Sequence, residues 1–297
     1  ESWHKKPKFF DYVGVSNDDV AIVTSIEHDH IDIYPTEREY DAAFIGLFER
    51  VPAGGLVIVD AQTRALELAR KHARARVVTY GLTPEAEWSA ATSRDGSFDV
   101  FAGGSACGRF SSPLPGEHNV RNALAAIAMA AEGFGVGPAQ SRAALASFAG
   151  VKRRQELLGT PGGVSVYDDF AHHPTAVDET LRALRKKHPT GALFAIFEPR
   201  SATACRNLHQ AAYVHAFDAA DRVLLAPLGR TNVPESERLD LSRLAREIGA
   251  RARACENVDE IVAECVQNAK SGDVIAVLSN GAFGGIYGKL LGALTSR

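Results

Sequence analysis

The stretch "VSVYDDFAHHPTA", residues 164–176, indicates a strand that passes directly into a helix. Valine and tyrosine favour the strand, and Pro174 suits the first position of a helix, where no N–H donor is needed. In α/β sheets, ligands bind where parallel strands end. Four titratable side chains crowd this crossover: Asp168, Asp169, His172 and His173. Their density favours a functional site over an ordinary structural loop.

The sequence around this stretch predicts a doubly wound sheet. "RQELLGTPGGVSVYDDF" reads as two strands around a Pro-Gly-Gly turn, and helices and strands then alternate to the C-terminus. Helices are expected at 174–188, 203–218, about 236–250 and 257–270 and at the end of the chain, and strands at "GALFAIFEP", "RVLLAPL" and "VIAVLS".

The first half of the chain also predicts an α/β domain, with hairpins at 85–115, where an Asp-Gly pair marks a turn. A small basic connector, "FAGVKRR", places a boundary near residues 150–152. The predicted domains are therefore 1–150 and 151–297. Strands are expected at 20–26, "GLVIVD" and "RVVTYG", and helices at about 37–50, "AQTRALELARKHA", "NVRNALAAIAMAAEGFG" and about 138–148.

Composition excludes several classes of function. With 33 basic and 36 acidic residues among 297, the net charge of −3 argues against a nucleic-acid or membrane-surface binder, so small molecules are the expected partners. The four cysteines lack metal-ligand spacing, which fits structural thiols in a reducing cytoplasm. No apolar run approaches the roughly 20 residues of a membrane span.

The sequence "EHDHID" follows the first predicted strand and offers carboxylates and imidazoles: Glu27, His28, Asp29, His30 and Asp32. Such side chains at a strand end suit a divalent cation, but solvation of a loop is an equal alternative. Further on, Asn119 and Asn122 lie one helical turn apart, so both amides could address one ligand. The alternative is that Asn119 caps the helix.

Three further motifs suit anions. "VKRRQE" offers Lys152, Arg153 and Arg154, as phosphate ligands or as a solvated linker. "FEPRSATA" places Arg200 after a buried strand, ready for a carboxylate or phosphate. "LSNGAFGGI", residues 278–286, resembles an anion cradle, although its glycines suit tight turns equally well. No Gly-Lys-Thr phosphate loop, G-x-S-x-G elbow or Cys/His nucleophile pair is present in the sequence, so covalent hydrolase chemistry is disfavoured.

In this order, "TSIEHDHIDIY", "GEHNVRNALAAIA", "VKRRQELLG", "YDDFAHHPTA", "EPRSATA" and "LSNGAFGGI" resemble the motifs of the Mur ligase family. The resemblance implies the latter part of a central ATPase domain followed by a Rossmann-like C-terminal domain. The family's N-terminal UDP-binding domain and its phosphate loop have no counterpart in the 297 residues.

The resemblance assigns roles residue by residue. His30 matches a magnesium-binding histidine, and Asn119 and Asn122 match asparagines that lie along adenine. Arg154 matches the linker arginine that reaches the ATP phosphates, and Asp169 the aspartate associated with the ribose. Phe44 stands where some members carry a carbamylated lysine, so a second magnesium is not expected. Residues expected to meet the incoming peptide are His172, His173, Arg200, Asn280 and Gly281.

The activity implied is ATP- and Mg²⁺-dependent formation of an amide bond on UDP-N-acetylmuramate. "EPRS" and "SNGAFGG" favour the branch that adds a recycled murein tripeptide, L-Ala-γ-D-Glu-meso-diaminopimelate, over the branch that adds L-alanine. Two alternatives remain at this point. One is a binding module without activity of its own, and the other is a metal-dependent hydrolase that uses Asp29, His30, Asp168 and His172.

Overall fold

The structure, a computed structural model, describes residues 19–93, 95–230 and 232–296. The chain divides into two compact units, 1–149 and 150–297. Each unit is built on a six-stranded sheet with helices packed against it, which confirms the predicted α/β class. None of the helices in the described ranges has the length and apolar character needed to cross a lipid bilayer.

The described part of the first unit contains β1 (Val20–Val23), α1 (Glu37–Arg50), β2 (Leu56–Asp60), α2 (Arg64–His72), β3 (Arg76–Gly81), β4 (Trp88–Thr92), β5 (Ser97–Ala102), β6 (Ser105–Ser111), α3 (Glu117–Phe134) and α4 (Pro138–Ala146). The strands lie in chain order across the sheet. β1 to β4 run parallel, whereas β4, β5 and β6 form the predicted antiparallel hairpins. This sheet is therefore mixed.

Helix α3 is the Ala-rich helix that the sequence predicted. It packs against the sheet through Leu124, Ile127 and their buried neighbours, and Gly135 ends it in the left-handed conformation with φ of 67°. The helix begins at Glu117, after Gly116, two residues earlier than expected. Asn119 therefore lies inside the first turn and does not cap the helix; its Nδ2 donates to the carbonyl of Pro115 at 2.7 Å.

β1 is shorter than the predicted strand at 20–26. Its ladder with β2 runs from Val20–Leu56 to Val23–Val59, and β2 itself ends at the next residue, Asp60. Beyond Thr24, which would face Asp60, the chain has no residue of β2 to pair with. It leaves the sheet as an irregular segment that carries "EHDH".

The second unit contains β7 (Glu156–Gly159), β8 (Ser165–Asp169), α5 (Pro174–Lys187), β9 (Leu193–Phe197), α6 (Gln210–Ala216), β10 (Arg222–Leu225), α7 (Leu241–Ile248), β11 (Ala252–Ala254), α8 (Val258–Asn268), β12 (Val274–Leu278) and α9 (Ile286–Thr295). The strand order is β11-β10-β9-β12-β8-β7. All neighbours are parallel except β7, which runs antiparallel to β8 at one edge.

Helices cover both faces of this second sheet. α5, α6 and α7 contribute to the core on one face, and α8 and α9 contribute to the core on the other. The strands between them are apolar on both sides, as expected for a buried parallel sheet. The predicted doubly wound sheet is confirmed.

Two helices start five or more residues later than predicted, and one strand was not predicted. The expected helix at 203–218 starts only at Gln210, because residues 201–206 form a buried turn in which Ser201 Oγ accepts from the Ala204 amide at 2.9 Å. α7 starts at Leu241, where the Asp240 side chain caps it. β11, only three residues long, is too short to show a periodic pattern.

Candidate functional site

The carboxyl ends of β8, β9 and β12 bring buried polar side chains together. β12 lies between β8 and β9, so Ser279 contacts the last residue of β8 and the residue that follows β9. Its Oγ donates to Glu198 at 2.5 Å, and its amide donates to the carbonyl of Asp169 at 3.0 Å. Ser279, Glu198, Asp168 and Asp169 are all buried. The sheet thus places a charged network at the edge where ligands bind in such folds.

Arg153 holds this network together. Its Nε donates to Asp168 at 3.1 Å, and one terminal nitrogen donates to the carbonyls of Ser279 and Gly281 at 2.6 and 2.9 Å. The hydroxyl of Tyr287 donates to the other oxygen of Asp168 at 2.7 Å. The side chain of Arg153 is therefore occupied by hydrogen bonds within the second unit.

Arg154 is presented differently, with an exposed side chain whose guanidinium lies 5.7 Å from the ring centre of Phe170. Its neighbours Arg153 and Gln155 both adopt positive φ, 60° and 49°, which is uncommon outside glycine. Hydrogen bonds hold both residues in place, and the Gln155 amide donates to Asp169 at 2.8 Å. The strained backbone on each side fixes the position of the Arg154 main chain, and the Arg154 side chain extends into solvent.

Asp169 is 3% exposed and accepts two backbone N–H groups, from Gln155 at 2.8 Å and from Ala171 at 2.7 Å. Burial raises the pKa of Asp169, while these two amides and Arg154 act in the opposite direction. Each carboxylate oxygen retains a second lone pair for a further donor such as a hydroxyl. Asp169 thus anchors the backbone beside Arg154 and can still accept from a ligand.

The two predicted histidines lie at the start of α5. A ring nitrogen of His172 is 3.0 Å from the carbonyl of Phe170, and the His172 carbonyl accepts from Tyr213 at 2.5 Å. His173 is the N-cap residue of α5, and its ring meets His209 edge-on with centroids 4.7 Å apart. Pro174 occupies the first helical position, as predicted. His209 was missed, because it comes from a different loop.

Arg200 follows β9, and its side chain is 41% exposed, with one terminal nitrogen 3.4 Å from Glu198. Nearby, Oδ1 of Asn280 is buried and has no hydrogen-bond partner among the described residues. Sequence reasoning missed Arg230, whose Nε donates to the carbonyl of Arg200 at 3.0 Å. The available signal was the Gly-Arg pair after the strand "RVLLAPL". These groups suit a ligand that carries an anion.

In the first unit, "EHDH" forms a tight turn that presents His30. His30 is exposed, has φ of 53°, and its carbonyl accepts from the amides of Ile33 and Tyr34. The Asp29 side chain accepts from the His30 amide at 2.7 Å, and His28 turns inward, 2.9 Å from the Tyr34 carbonyl. Among these residues, His30 is thus the imidazole best placed to meet a cation in solvent.

The surroundings of His30 fit Mg²⁺ better than zinc. Mg²⁺ takes few protein ligands and keeps waters and phosphate oxygens, whereas a catalytic zinc needs three converging protein ligands. In the parts of the chain that the structure describes, no group of three or more His, Cys, Asp or Glu side chains could hold a metal.

An aromatic cluster lies between this turn and α1, the helix that follows it. The Tyr40 ring contacts Tyr34 and Phe44 edge-on, with centroids 5.5 and 5.2 Å apart, and it also meets His28. Burial raises the pKa of Tyr40 to about 12. Phe44, at the position expected for a modified lysine in some Mur ligases, thus packs in an apolar setting that offers no metal ligand of its own.

Asn119 and Asn122 lie in the first two turns of α3, the first half-buried and the second exposed. Between them, Arg121 points to the buried end of β2, with its Nε 3.8 Å from Asp60. Burial raises the pKa of Asp60, and the Gln62 amide and Arg121 oppose that effect. The ion pair ties the start of α3 to the sheet and so fixes the backbone that carries both asparagines.

Models of two protein domains match this chain. The Mur ligase middle domain matches residues 5–130, and the domain described as Mur ligase, glutamate ligase domain matches residues 153–281. Together they span most of the sequence.

Individual proteins give the same result. The chain is 35% identical to the UDP-N-acetylmuramate–L-alanyl-γ-D-glutamyl-meso-2,6-diaminoheptandioate ligase of Escherichia coli (strain K12), across 99% of this chain and 62% of that protein. It is 33% identical to the UDP-N-acetylmuramate–L-alanine ligase of Anaeromyxobacter sp. (strain Fw109-5), across 93% and 61%. The crystal structure of a murein peptide ligase from Psychrobacter arcticus 273-4 superposes with a TM-score of 0.67 and 32% identity, across 94% and 58%. The chain thus spans about three fifths of the length of these relatives.

Proposed function

Because the chain belongs to the Mur ligase family, we propose that it is the part of an ATP-dependent, ADP-forming ligase that carries the middle and C-terminal domains. The reaction proposed is the joining of the murein tripeptide L-Ala-γ-D-Glu-meso-diaminopimelate to UDP-N-acetylmuramate, in cytoplasmic peptidoglycan recycling. The observation that carries this choice is the 35% identity to the Escherichia coli tripeptide ligase across 99% of this chain.

The proposed chemistry proceeds through an acyl phosphate. The muramoyl carboxylate attacks the γ-phosphate of ATP, ADP leaves, and the peptide amine then attacks the activated carbonyl and displaces phosphate. Such transfers depend on positioning and on neutralisation of phosphate charge. The exposed guanidinium of Arg154 suits the second task. Mg²⁺ bound through His30 would supply further positive charge.

The remaining nucleotide contacts are assigned to amides and one carboxylate. Asn119 and Asn122 offer amide groups for adenine from the first two turns of α3. Asp169 offers carboxylate lone pairs for a ribose hydroxyl. These roles are compatible with the observed contacts, since each oxygen of the Asp169 carboxylate accepts one backbone N–H group and keeps a second lone pair.

The peptide is assigned to the second group of residues, at the carboxyl ends of β9 and β12 and the start of α5. Arg200 offers a cation for a carboxylate, and Asn280 a buried acceptor for an N–H group. The half-buried His172 and His173 and the backbone at Gly281 complete the proposed surface. A tripeptide with several carboxylates suits such a surface.

A substrate-choice assay tests the proposal. Full-length protein would receive ATP, Mg²⁺, UDP-N-acetylmuramate and either the tripeptide or L-alanine, and ADP release would be followed. We expect ADP release that depends on the tripeptide. Release with L-alanine alone would assign the protein to the activity of its Anaeromyxobacter relative, which is 33% identical to this chain. Absence of ADP release with both the tripeptide and L-alanine would contradict the ligase assignment.

A second comparison concerns the 297 residues themselves. Because the sequence has no Gly-Lys-Thr phosphate loop, ATP hydrolysis by this chain should be weak or absent. We expect the full-length protein to turn over ATP at least about 100-fold faster than the 297-residue chain, since positioning of the phosphates contributes several kcal/mol. Equal rates would show that phosphate binding resides in these residues alone.

A further inference from the structure

Two glycines in the second unit face the side chain of Arg200 from neighbouring loops. Arg200 follows β9, which lies between β10 and β12 in the sheet. Gly229 follows β10 and Gly281 follows β12. A Cβ added at Gly229 would lie 2.8 Å from Cγ of Arg200, and one added at Gly281 would overlap Cδ and Nε and lie 2.7 Å from Cζ. The two glycines therefore leave a slot for the arginine, which we call the Arg200 slot.

The backbone on both sides of the Arg200 slot is fixed. The Gly229 amide donates to the carbonyl of Pro199 at 2.8 Å. The Gly281 amide donates to Ser279 Oγ at 3.0 Å, and the Gly281 carbonyl accepts from Arg153 at 2.9 Å. A larger residue at either position could not relieve the overlap by moving its own loop without breaking these bonds. The arginine would have to move instead.

Neither glycine is required by its own backbone conformation. The described glycines with positive φ include Gly284 and Gly285 but neither Gly229 nor Gly281. Alanine would be acceptable at both positions on conformational grounds. What stands in its way is Arg200: the outer part of its side chain at Gly281, and Cγ, Cβ and Cα at Gly229. This distinguishes the slot from the tight turns that the same sequence motif also contains.

The slot restricts an otherwise flexible cation. A free arginine loses much rotamer entropy when it binds an anion, and a side chain that is already confined loses less. Glu198 lies 3.4 Å from one terminal nitrogen, and 41% of the side chain stays exposed for a ligand. Arg230 donates to the Arg200 carbonyl from the loop that also carries Gly229, and so adds a second positive charge close by.

We propose that Gly229 and Gly281 are positioning residues that act through Arg200, which they hold ready to bind a carboxylate of the incoming peptide. The carboxylate part of this inference rests on the proposed function, whereas the slot itself does not. The two parts are therefore tested by separate measurements.

A thermal double-mutant cycle in the full-length protein tests the slot. Gly281→Ala should lower the Tm of the transition that includes the second unit by about 2 °C, because the methyl group and Arg200 compete for one space and the arginine must leave its preferred rotamer. In an Arg200→Ala background the same substitution should change Tm by less than about 1 °C. Gly288→Ala, on an exposed turn of α9 with open space around it, is the control and should not lower Tm. An equal loss of Tm in both backgrounds would show that Arg200 does not occupy the space next to Gly281.

Steady-state kinetics of the full-length protein tests the ligand. Gly281→Ala and Gly229→Ala should each raise KM for the tripeptide about 10-fold or more and leave KM for ATP within about 2-fold. In the Arg200→Ala background, neither substitution should raise the peptide KM further. A similar rise in both KM values, or no rise in either, would overturn the carboxylate assignment. Absence of any peptide-dependent ADP release in the unsubstituted protein would instead refute the proposed function, and the thermal cycle would still decide the slot.

Discussion

Arg153 and Arg154 are consecutive arginines with opposite environments. Arg153 gives its donors to Asp168 and to two carbonyls, whereas Arg154 extends into solvent above Phe170. The sequence "VKRRQE" cannot distinguish the two, since both are charged and flexible. The positive φ of Arg153 and Gln155 decides which side chain turns inward.

Alanine substitutions at these two arginines should therefore have different effects. Arg154→Ala should lower kcat of the full-length protein by about 100-fold or more, through loss of phosphate charge neutralisation, and leave Tm unchanged. Arg153→Ala should cost about 2–3 kcal/mol of stability, because buried Asp168 and two carbonyls lose a donor. Calorimetry and ADP release measured on both variants check this. If Arg154→Ala unfolded the protein and Arg153→Ala did not, the assigned roles would be reversed.

Tyr80, at the end of β3, is fully buried, and its hydroxyl has no hydrogen-bond partner among the described residues. Burial raises the pKa of Tyr80, so the hydroxyl stays protonated. Tyr80→Phe should be neutral or stabilising by up to about 1 kcal/mol, since it removes an unsatisfied polar group. Tyr213→Phe is the matched control: Tyr213 is equally buried but donates to the His172 carbonyl, so its loss should destabilise. The urea unfolding midpoint should stay unchanged or rise for Tyr80→Phe and fall for Tyr213→Phe, and a fall for Tyr80→Phe would contradict the assignment.

At the scale of elements, Glu132 ties the last turns of α3 to two strands. One carboxylate oxygen accepts from Arg76 of β3 at 2.5 Å, and the other accepts from the indole N–H of Trp88 in β4 at 2.9 Å. The Arg76 and Trp88 hydrogen bonds lower the pKa of Glu132. Since the depressed value belongs to the folded state, this contribution is complete above the ordinary glutamate pKa and is lost as the pH falls through the folded pKa.

Glu132→Gln should therefore cost about 0.5–1 kcal/mol at pH 7, where it removes the charge but keeps an acceptor for Trp88, and progressively less in acid. Unfolding midpoints followed by tryptophan fluorescence at pH 7 and at about pH 3 check this. Asp99→Asn is the comparison, because the Asp99 carboxylate is more exposed than that of Glu132 and solvent screens its charge better, so the effect should be smaller. A cost that did not change with pH would contradict the assignment to charge.

Elements with a strong local signal could be predicted from the sequence, whereas short or turn-interrupted ones could not. β8 and α5 were predictable because a buried strand meets a proline suited to the first helical turn. α6 was misplaced because "SATACRN" has apolar spacing compatible with a helix, yet the Ser201 side chain stabilises a turn there instead. β11 has three residues, too few to establish the alternation that identifies a strand.

At the scale of the whole molecule, the four cysteines are distributed unequally between the two units. Half-exposed Cys107 lies in the first unit, and buried Cys205, Cys255 and Cys265 lie in the second. Burial raises the pKa of Cys255 to about 11 and of Cys265 to about 12, and raises that of Cys205 as well. Thiol chemistry should therefore distinguish the two units.

A disulfide exchange reagent at pH 8 should titrate one thiol of the native 297-residue chain quickly, and the other three only when the second unit unfolds. The reason is that thiolates are the reactive species and the buried thiols stay protonated at that pH. Cys107→Ser should abolish the fast phase and leave the slow phase intact. Two or more fast thiols in the native protein would show that the second unit opens readily.

The candidate site residues were chosen from motifs in their order along the chain, and the residues that contact them were not predicted. Arg200, Asp169 and His173 stand in recognisable motifs, but Ser279, Arg230 and His209 join them only through the sheet. The last strand in sequence, β12, is inserted between β8 and β9, and local sequence carries no information about that order. Contacts between residues as distant as Glu198 and Ser279 therefore required the folded chain.

The Arg200 slot has a consequence for sequence change among homologues. Positions 229 and 281 are constrained by what occupies position 200, since the arginine fills the space that their side chains would need. Proteins that keep the arginine should keep both glycines. Proteins that have lost it should accept larger residues at position 281, whereas position 229 also faces Cβ and Cα of residue 200. Positions 200 and 281, distant along the chain, should thus vary together in a family alignment, and substitution at position 200 is the step that would release position 281.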